Sequence, residues 1–467
     1  MSSIGTKEQP LRVAIIGAGP AGFYAADRLF KESDIVIEID MFDRLPTPYG
    51  LVRNGVAPDH QKIKSVTAAF ERIALDPKFR FFGNIGIGRD VSIDELKQYY
   101  HQVLYSTGAQ TDRQLGIPGE DLIGSHPATE FVAWYNGHPD FRSLTFDLSH
   151  ESAAVVGVGN VAIDVARILC RTPEELQKTD IADYALDALR QSKVRKVYIL
   201  GRRGPAQAAF TAPEVKELGE MSDCDVVVPP DEAELDPLSR AMMADADRAD
   251  LRKVEIIQEL SRREPAGRAK QLKLRFLVSP LEILDDGYGR IAAVKLVRNE
   301  LYATDAGTLR SRATGQTEIL DVGLVFRAIG YRGVPIPGIP FNANWGIIPN
   351  EEGRVVDLET REPMTGQYTA GWIKRGPTGV IGTNKPDSAE TAEHMIEDAR
   401  QGKTLQPSHP SANAAAAFIH SRQPCVVSFS DWKRLDEIET GQGKVQGRPR
   451  VKFTSVNDML AALRKVP

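Results

Sequence analysis

Cysteine is scarce in this 467-residue chain: Cys170, Cys224 and Cys425 are its three, and they lie far apart. No Cys-x-x-Cys occurs, so there is no dithiol redox motif and no cysteine-rich set for zinc or an iron–sulfur cluster. Three reduced thiols, as in a cytosolic protein, is the plain expectation. Long apolar runs are also missing. None approaches the roughly 18 residues that a membrane-spanning helix needs. The opening MSSIGTKEQPLR lacks the apolar core of a signal peptide and is not Arg-rich like a transit segment. A cytoplasmic location is therefore expected. Nor is there a large excess of either charge: 58 Lys and Arg stand against 63 Asp and Glu, a net of −5. That argues against a nucleic-acid binder and leaves room only for a local basic patch. The apolar and charged fractions are those of a soluble globular protein. The length suits two or three domains that fold without disulfides or metals.

What is present begins at Leu11–Phe30. A β-branched run, Val13 to Ile16, leads into Gly17-Ala18-Gly19-Pro20-Ala21-Gly22 and then an Ala-rich helical stretch. Strand, tight glycine turn and helix make the start of a dinucleotide-binding βαβ unit. In that motif Gly17 makes the turn, Gly19 admits a pyrophosphate to the backbone, and Gly22 lets helix and strand pack closely. The helix start offers free N–H groups to the phosphates. A second strand, Ile35 to Phe42, ends at Asp43, which follows Gly22 by 21 residues. An acid is expected there to bind ribose hydroxyls.

The same pattern returns at Ser152–Leu169, with Gly157-Val158-Gly159-Asn160-Val161-Ala162 as the turn. Alanine in the third position is tolerated. Ile163, Val165, Ala166 and Leu169 are expected on the buried face of its helix. The next strand, Lys196 to Leu200, runs into Gly201-Arg202-Arg203-Gly204. Two arginines stand where an NAD site usually has an acid. Guanidinium groups pair with phosphate, and the 2′-phosphate of NADP is their natural partner. The first site suits a ribose such as that of FAD. Two dinucleotide sites of different polarity imply transfer between two bound cofactors.

Two further strand-like stretches, Val103–Ala109 and Val325–Tyr331, read as crossings between domains. They predict an α/β architecture of two Rossmann-like domains, with an NADP domain (110–325) inserted into a discontinuous FAD domain (1–109 and 326–467). Residues 222–275 read as a Pro- and acid-rich loop, a helix and a basic segment. Residues 402–416 read as a mobile connection. The region after about 400 gives no functional reading.

Four blocks carry a resemblance over nearly the whole chain. They are GAGPAG (17–22), PTPYGLVRNGVAPDHQKIK (46–64), VGNVAIDVARIL (158–169) with GRRGPAQAAFT (201–211), and AGWIKRGPTGVIGTNK (370–385). The chain resembles the adrenodoxin reductase family of ferredoxin–NADP reductases, especially the bacterial NADPH–ferredoxin reductases. Trp372 after Gly371, in place of the Gly-Asp of the wider two-dinucleotide group, narrows the likeness. The resemblance implies that Ala21, Asp43, Leu51 and Ile87 contact FAD, and that Trp372, Gly379, Val380 and Ile381 pack on or bond to the flavin. It implies that Arg113, Asn160, Val161, Arg202, Arg203 and Glu214 hold NADP. His60 and Glu217 match a His–Glu pair that lines the active site and orients the nicotinamide. Electrons would pass from NADPH through FAD to a ferredoxin, a small acidic iron–sulfur protein. Residues 248–275 hold nine Lys or Arg and four Asp or Glu, so Arg248, Arg252, Arg262 and Arg263 are expected to face it. The alternatives are a reductase of another acceptor (quinone, dye or oxygen) and a non-catalytic FAD/NADP-binding protein.

Overall fold

The computed structural model describes residues 4–465. The Leu11–Ile16 strand is buried at every position, as a parallel strand covered on both faces must be. It pairs in parallel with Ile37–Phe42 on one side and Gln102–Tyr105 on the other. Phe79–Phe82 extends the sheet at one end, and Pro363–Thr369 joins in parallel beyond Gln102–Tyr105. Two short antiparallel strands, Arg354–Val356 and Asn350–Glu351, complete seven. The sheet thus takes strands from both ends of the chain.

A second sheet of six strands is parallel throughout, in the order Ser125–Pro127, Leu324–Arg327, Ser152–Val156, Lys196–Leu200, Lys270–Arg275, Cys224–Val227. The strand that the sequence places at the return crossing, around Val325, lies in this sheet. The two connections between the lobes run side by side, with Tyr331 opposite Asp112 and Arg332 opposite Thr111. Apolar side chains fill both faces of each large sheet. A third, antiparallel sheet of Val278–Asp285, Ile291–Ala303 and Leu309–Asp321 is attached to the second lobe.

The stretch expected as a loop in 222–275 contains the Cys224–Val227 strand and the helices Pro230–Ala233 and Pro237–Met243. Proline at the start of each helix, where no N–H partner is needed, favours both. Within 402–416 the Ala412–Arg422 helix begins, capped by Ser411, whose hydroxyl accepts from the N–H of Ala414. The alanine run there is the best of helix formers.

The C-terminal region fastens the lobes together. Lys452, which is buried, donates to the carbonyls of Arg53 and Asn136 at 3.1 Å each and lies 3.4 Å from Asp180. Arg448 donates to the carbonyls of Thr179 and Ile181, and Arg450 pairs with Asp436 and Glu439.

Candidate active site

Two glycine turns set the geometry. Gly17 has φ +103°, and a Cβ there would stand 2.6 Å from the carbonyl oxygen of Ser106; Gly157 has φ +130°, with Ala328 O at 2.2 Å. Only glycine fits either place. The helices that follow, Pro20–Phe30 and Asn160–Cys170, have Gly19 and Gly159 as N-caps and no side-chain cap. Their first N–H groups therefore face outward without a side-chain acceptor, the arrangement that receives phosphate. Nothing lies within 4 Å of where a Cβ of Gly19 or Gly159 would stand. Both turns fit a dinucleotide pyrophosphate.

Asp43 ends the second strand beside the first turn. Its carboxylate accepts from the N–H of Ala18 at 3.0 Å and of Leu45 at 2.9 Å. Burial pushes its pKa up, while those two donors act against the shift. Each oxygen keeps a lone pair for a ribose hydroxyl. Asp43, Leu51, Gly108 and Tyr331 line a cleft of about 360 Å³. The Tyr331 ring centroid lies 5.5 Å from that of Trp372. Pro20, Ala21 and Gly22 form the helix start beneath, where Ala21 comes so near Gly371 that a Cβ on Gly371 would meet it at 2.6 Å. Gly371 N donates to Asp387 at 2.6 Å, and Arg375 holds Thr378, Thr383 and Asn384, which folds the 371–384 segment over this lobe. Gly379 and Val380 are exposed on it and Ile381 is half-buried. Ile87 stands apart from these: its backbone pairs with Val91, and its side chain packs at the edge of a core cluster.

At the second turn, Asn160 Oδ1 accepts from the N–H of Thr211 at 3.0 Å, and Val161 is half-buried. Arg202 is exposed and Arg203 half-buried. Burial and the charge of Arg202 pull the pKa of Arg203 below its ordinary value. Among the described residues neither guanidinium sits in an ion pair, so two like charges stand side by side at the end of the strand. That fits a site built for an added phosphate. Arg113 is exposed, its N–H donating to Gly330 O at 3.0 Å on the inter-lobe crossing.

His60 and Glu217 meet across the lobes, Nε2 to Oε2 at 2.7 Å. Glu214, one turn earlier on the Ala212–Leu218 helix, lies 3.8 Å from the same nitrogen. It thus joins the histidine cluster. The centre of this cluster is Arg167, a fully buried residue of the second glycine-turn helix. Its guanidinium binds Asp59 at 2.8 Å, Asp164 at 2.6 Å and Glu214 at 3.3 Å, and lies 3.4 Å from His60 Nδ1. Burial pushes Asp164 up to about 6, with Glu214 and Asp59 adding to the shift and Arg167 opposing it. Burial raises Glu214 too. Asp59 goes the other way: burial is outweighed by Arg167 and Arg171, which hold it below the usual carboxylate range. Ligand-type atoms of His60, Glu214 and Glu217 lie within 4.8 Å of one another, and the positive charge beside them is Arg167. Asp59, Asp164 and Arg167 were not singled out from the sequence. Their signal was two charged residues three apart in an otherwise apolar helix, and an acid next to His60.

Residues 11–203 match the family model described as pyridine nucleotide-disulphide oxidoreductase. The chain is 44% identical over 462 residues to NADPH-ferredoxin reductase FprA of Mycobacterium tuberculosis, covering 97% of this chain and 99% of that protein. It is 40% identical over 466 residues to the mitochondrial NADPH:adrenodoxin oxidoreductase of Arabidopsis thaliana, covering 97% and 95%. The structure of Mycobacterium tuberculosis FprA in complex with NADPH superimposes with a TM-score of 0.92 at 43% identity, covering 98% of this chain and all of the other. With its two glycine-turn lobes and nearly full-length likeness to these reductases, the chain belongs to the adrenodoxin-reductase type of NADPH–ferredoxin reductases.

Proposed function

We propose that this protein is an NADPH-dependent flavoprotein reductase that passes electrons from NADPH through FAD to a ferredoxin-type iron–sulfur protein. The observation that carries the reading is the contrast between the two turns, one closed by Asp43 and the other by the unpaired Arg202 and Arg203. FAD supplies the chemistry of taking two electrons from NADPH and releasing them singly. The residues do the rest. The first turn and Asp43 hold the pyrophosphate and ribose of FAD, and the 371–384 segment covers its flavin end. Arg202 and Arg203 hold the 2′-phosphate of NADPH. The His60–Glu217 pair, braced by Arg167, fixes the nicotinamide against the first lobe.

The partner is recognised by charge. Arg248 and Arg262 are exposed at opposite ends of the Arg248–Ser261 helix. Arg252 is held between Glu255 and Glu259 at 3.0 Å each, and Arg263 donates to Gly219 O. Docking of an acidic protein on this helix therefore rests on Arg248 and Arg262. Among the described residues no helix is long and apolar enough to cross a membrane.

The test is anaerobic stopped-flow absorbance of the purified protein with NADPH, followed by a [2Fe–2S] ferredoxin. Bleaching of a flavin band and then reduction of the ferredoxin at a catalytic rate is expected. Bleaching without ferredoxin reduction would move the acceptor elsewhere, and failure to bind flavin after reconstitution would overturn the reading.

A further inference from the structure

The antiparallel sheet has no part in the function derived above, yet it grips the double-arginine turn. Three consecutive carbonyls of that turn are taken by three donors from this sheet and its approach. Gly201 O accepts from Val278 N at 3.0 Å, Arg202 O from the side-chain amide of Asn299 at 2.9 Å, and Arg203 O from Leu277 N at 3.1 Å. Two features show that this grip is specified. Leu277 has φ +55°, a left-handed conformation that a branched side chain adopts only under constraint. The pairing of the Ile291–Ala303 strand with its neighbour also shifts register between Val297 and Asn299, leaving Asn299 at the irregularity. The N–H of Asn299 donates to Leu277 O at 2.7 Å, and its amide nitrogen gives a second hydrogen bond to Ser279 Oγ at 2.7 Å. Asn299 is buried, so these bonds do not compete with bulk water.

We propose that Asn299 is a positioning residue for coenzyme selectivity, fixing the backbone of Arg202 and Arg203 so that both guanidinium groups are presented to one phosphate. The inference rests on the 2′-phosphate reading of those arginines. Two adjacent cations repel each other, and a turn free to relax would splay them apart. Capturing the carbonyls holds the turn in its receiving shape before the coenzyme arrives, which lowers the ordering cost of binding.

The test compares the holoenzyme with its Asn299→Ala and Asn299→Asp variants; the second keeps the shape but cannot donate to Arg202 O. Steady-state kinetics with NADPH and NADH are paired with calorimetry of 2′,5′-ADP and 5′-AMP. Loss of one such bond should weaken NADPH and 2′,5′-ADP by about three- to tenfold. NADH and 5′-AMP should change by less than about twofold, and kcat at saturating NADPH should hold. In an Arg202→Ala/Arg203→Ala background, Asn299→Ala should add nothing, because coupled residues are not additive. Equal weakening of both coenzymes, or a full additional loss in that background, would overturn the proposal. If the double-arginine variant binds 2′,5′-ADP normally, the 2′-phosphate reading falls and this inference with it. If that variant loses selectivity while the Asn299 variants keep it, the inference alone falls. Should neither of these variants fold, Asn299→Leu decides: its side chain has the shape of the amide and leaves the backbone bonds in place but cannot donate to Arg202 O, and unchanged selectivity there counts against the proposal.

Discussion

His60 and Glu217 are 157 residues apart in the chain and 2.7 Å apart in space, and they come from different lobes. His60 precedes the short Gln61–Lys64 helix of the first lobe, and Glu217 lies on the Ala212–Leu218 helix of the second. The pair therefore exists only when the lobes are correctly seated, and on the proposed reading it marks where the two dinucleotide sites face each other.

On the proposed role, in which the pair orients the nicotinamide and does not hold the flavin, His60→Ala should slow flavin reduction by NADPH on the order of ten- to a hundredfold, the scale of a misplaced reactant. FAD content should stay at wild-type level. Single-turnover absorbance at the flavin band reads the first, and the flavin-to-protein absorbance ratio reads the second. Reduction kinetics identical to wild type would remove His60 from the site. Glu217→Gln should give a smaller loss in the same direction.

Arg167 should prove more important to stability than any single residue it touches. It is fully buried and balances Asp59, Asp164 and Glu214 at once. Removing one partner of a buried ionic cluster leaves uncompensated charge and costs about 3–5 kcal/mol. Arg167→Met should lower the urea midpoint of unfolding accordingly, whereas Asp164→Asn, which leaves Arg167 with Asp59, Glu214 and Glu217, should cost less. Arg167→Lys should not restore stability, since a single ammonium cannot span the acids that the planar fork reaches. An unchanged midpoint for Arg167→Met would contradict the assignment.

Arg203→Ala should raise KM for NADPH far more than for NADH. Losing a charge-assisted contact to phosphate costs on the order of 1.5–3 kcal/mol, or about ten- to a hundredfold. NADH has no 2′-phosphate and should be nearly indifferent. Steady-state kinetics with each coenzyme give the comparison, and equal effects on both would dismiss the phosphate role of Arg203.

The parts of this molecule that were legible in its sequence are those encoded locally. Leu11–Phe30 and Ser152–Leu169 each place strand, glycine turn and helix within some twenty residues, and Ile163, Val165, Ala166 and Leu169 are buried as the pattern requires. Asp43 and the arginines at 202 and 203 could be located by counting from those turns. The His60–Glu217 pair came only from family resemblance, because no local pattern joins residues in separate lobes. Arg167 carries only a weak local signal because its meaning lies in acids supplied by Asp59 and Glu214, far away in sequence. The grip of Asn299 on Arg202 depends likewise on how the antiparallel sheet meets the second lobe. In 412–416 the alanines carry a linker's composition, but helix propensity and the Ser411 cap decide the outcome.

Acid should weaken the fold through its buried histidines, and His101 offers the clearest case. Its Nδ1 accepts a hydrogen bond from the N–H of Arg12 at 2.9 Å, so the ring must carry its proton on the other nitrogen and stay neutral. Burial, helped by the charge of Arg12, pulls its pKa down to about 4. In the unfolded chain the same group titrates near 6.5. Between those two values the unfolded state binds a proton that the folded state does not, so stability rises with pH across this window and falls as pH drops through it. Each such histidine adds a slope of about 1.4 kcal/mol per pH unit. His126 and His138 are also brought down to about 4, chiefly by burial, and act with the same sign. His101→Asn offers an acceptor oxygen without a titration. Urea unfolding between pH 4.5 and 6.5 should show its stability depending on pH by about one proton fewer than wild type; His126 and His138 keep their share of the slope, and Asp164, raised to about 6, opposes it in both proteins. An unaltered slope would mean that His101 is protonated in the folded protein and that its bond to Arg12 is not made.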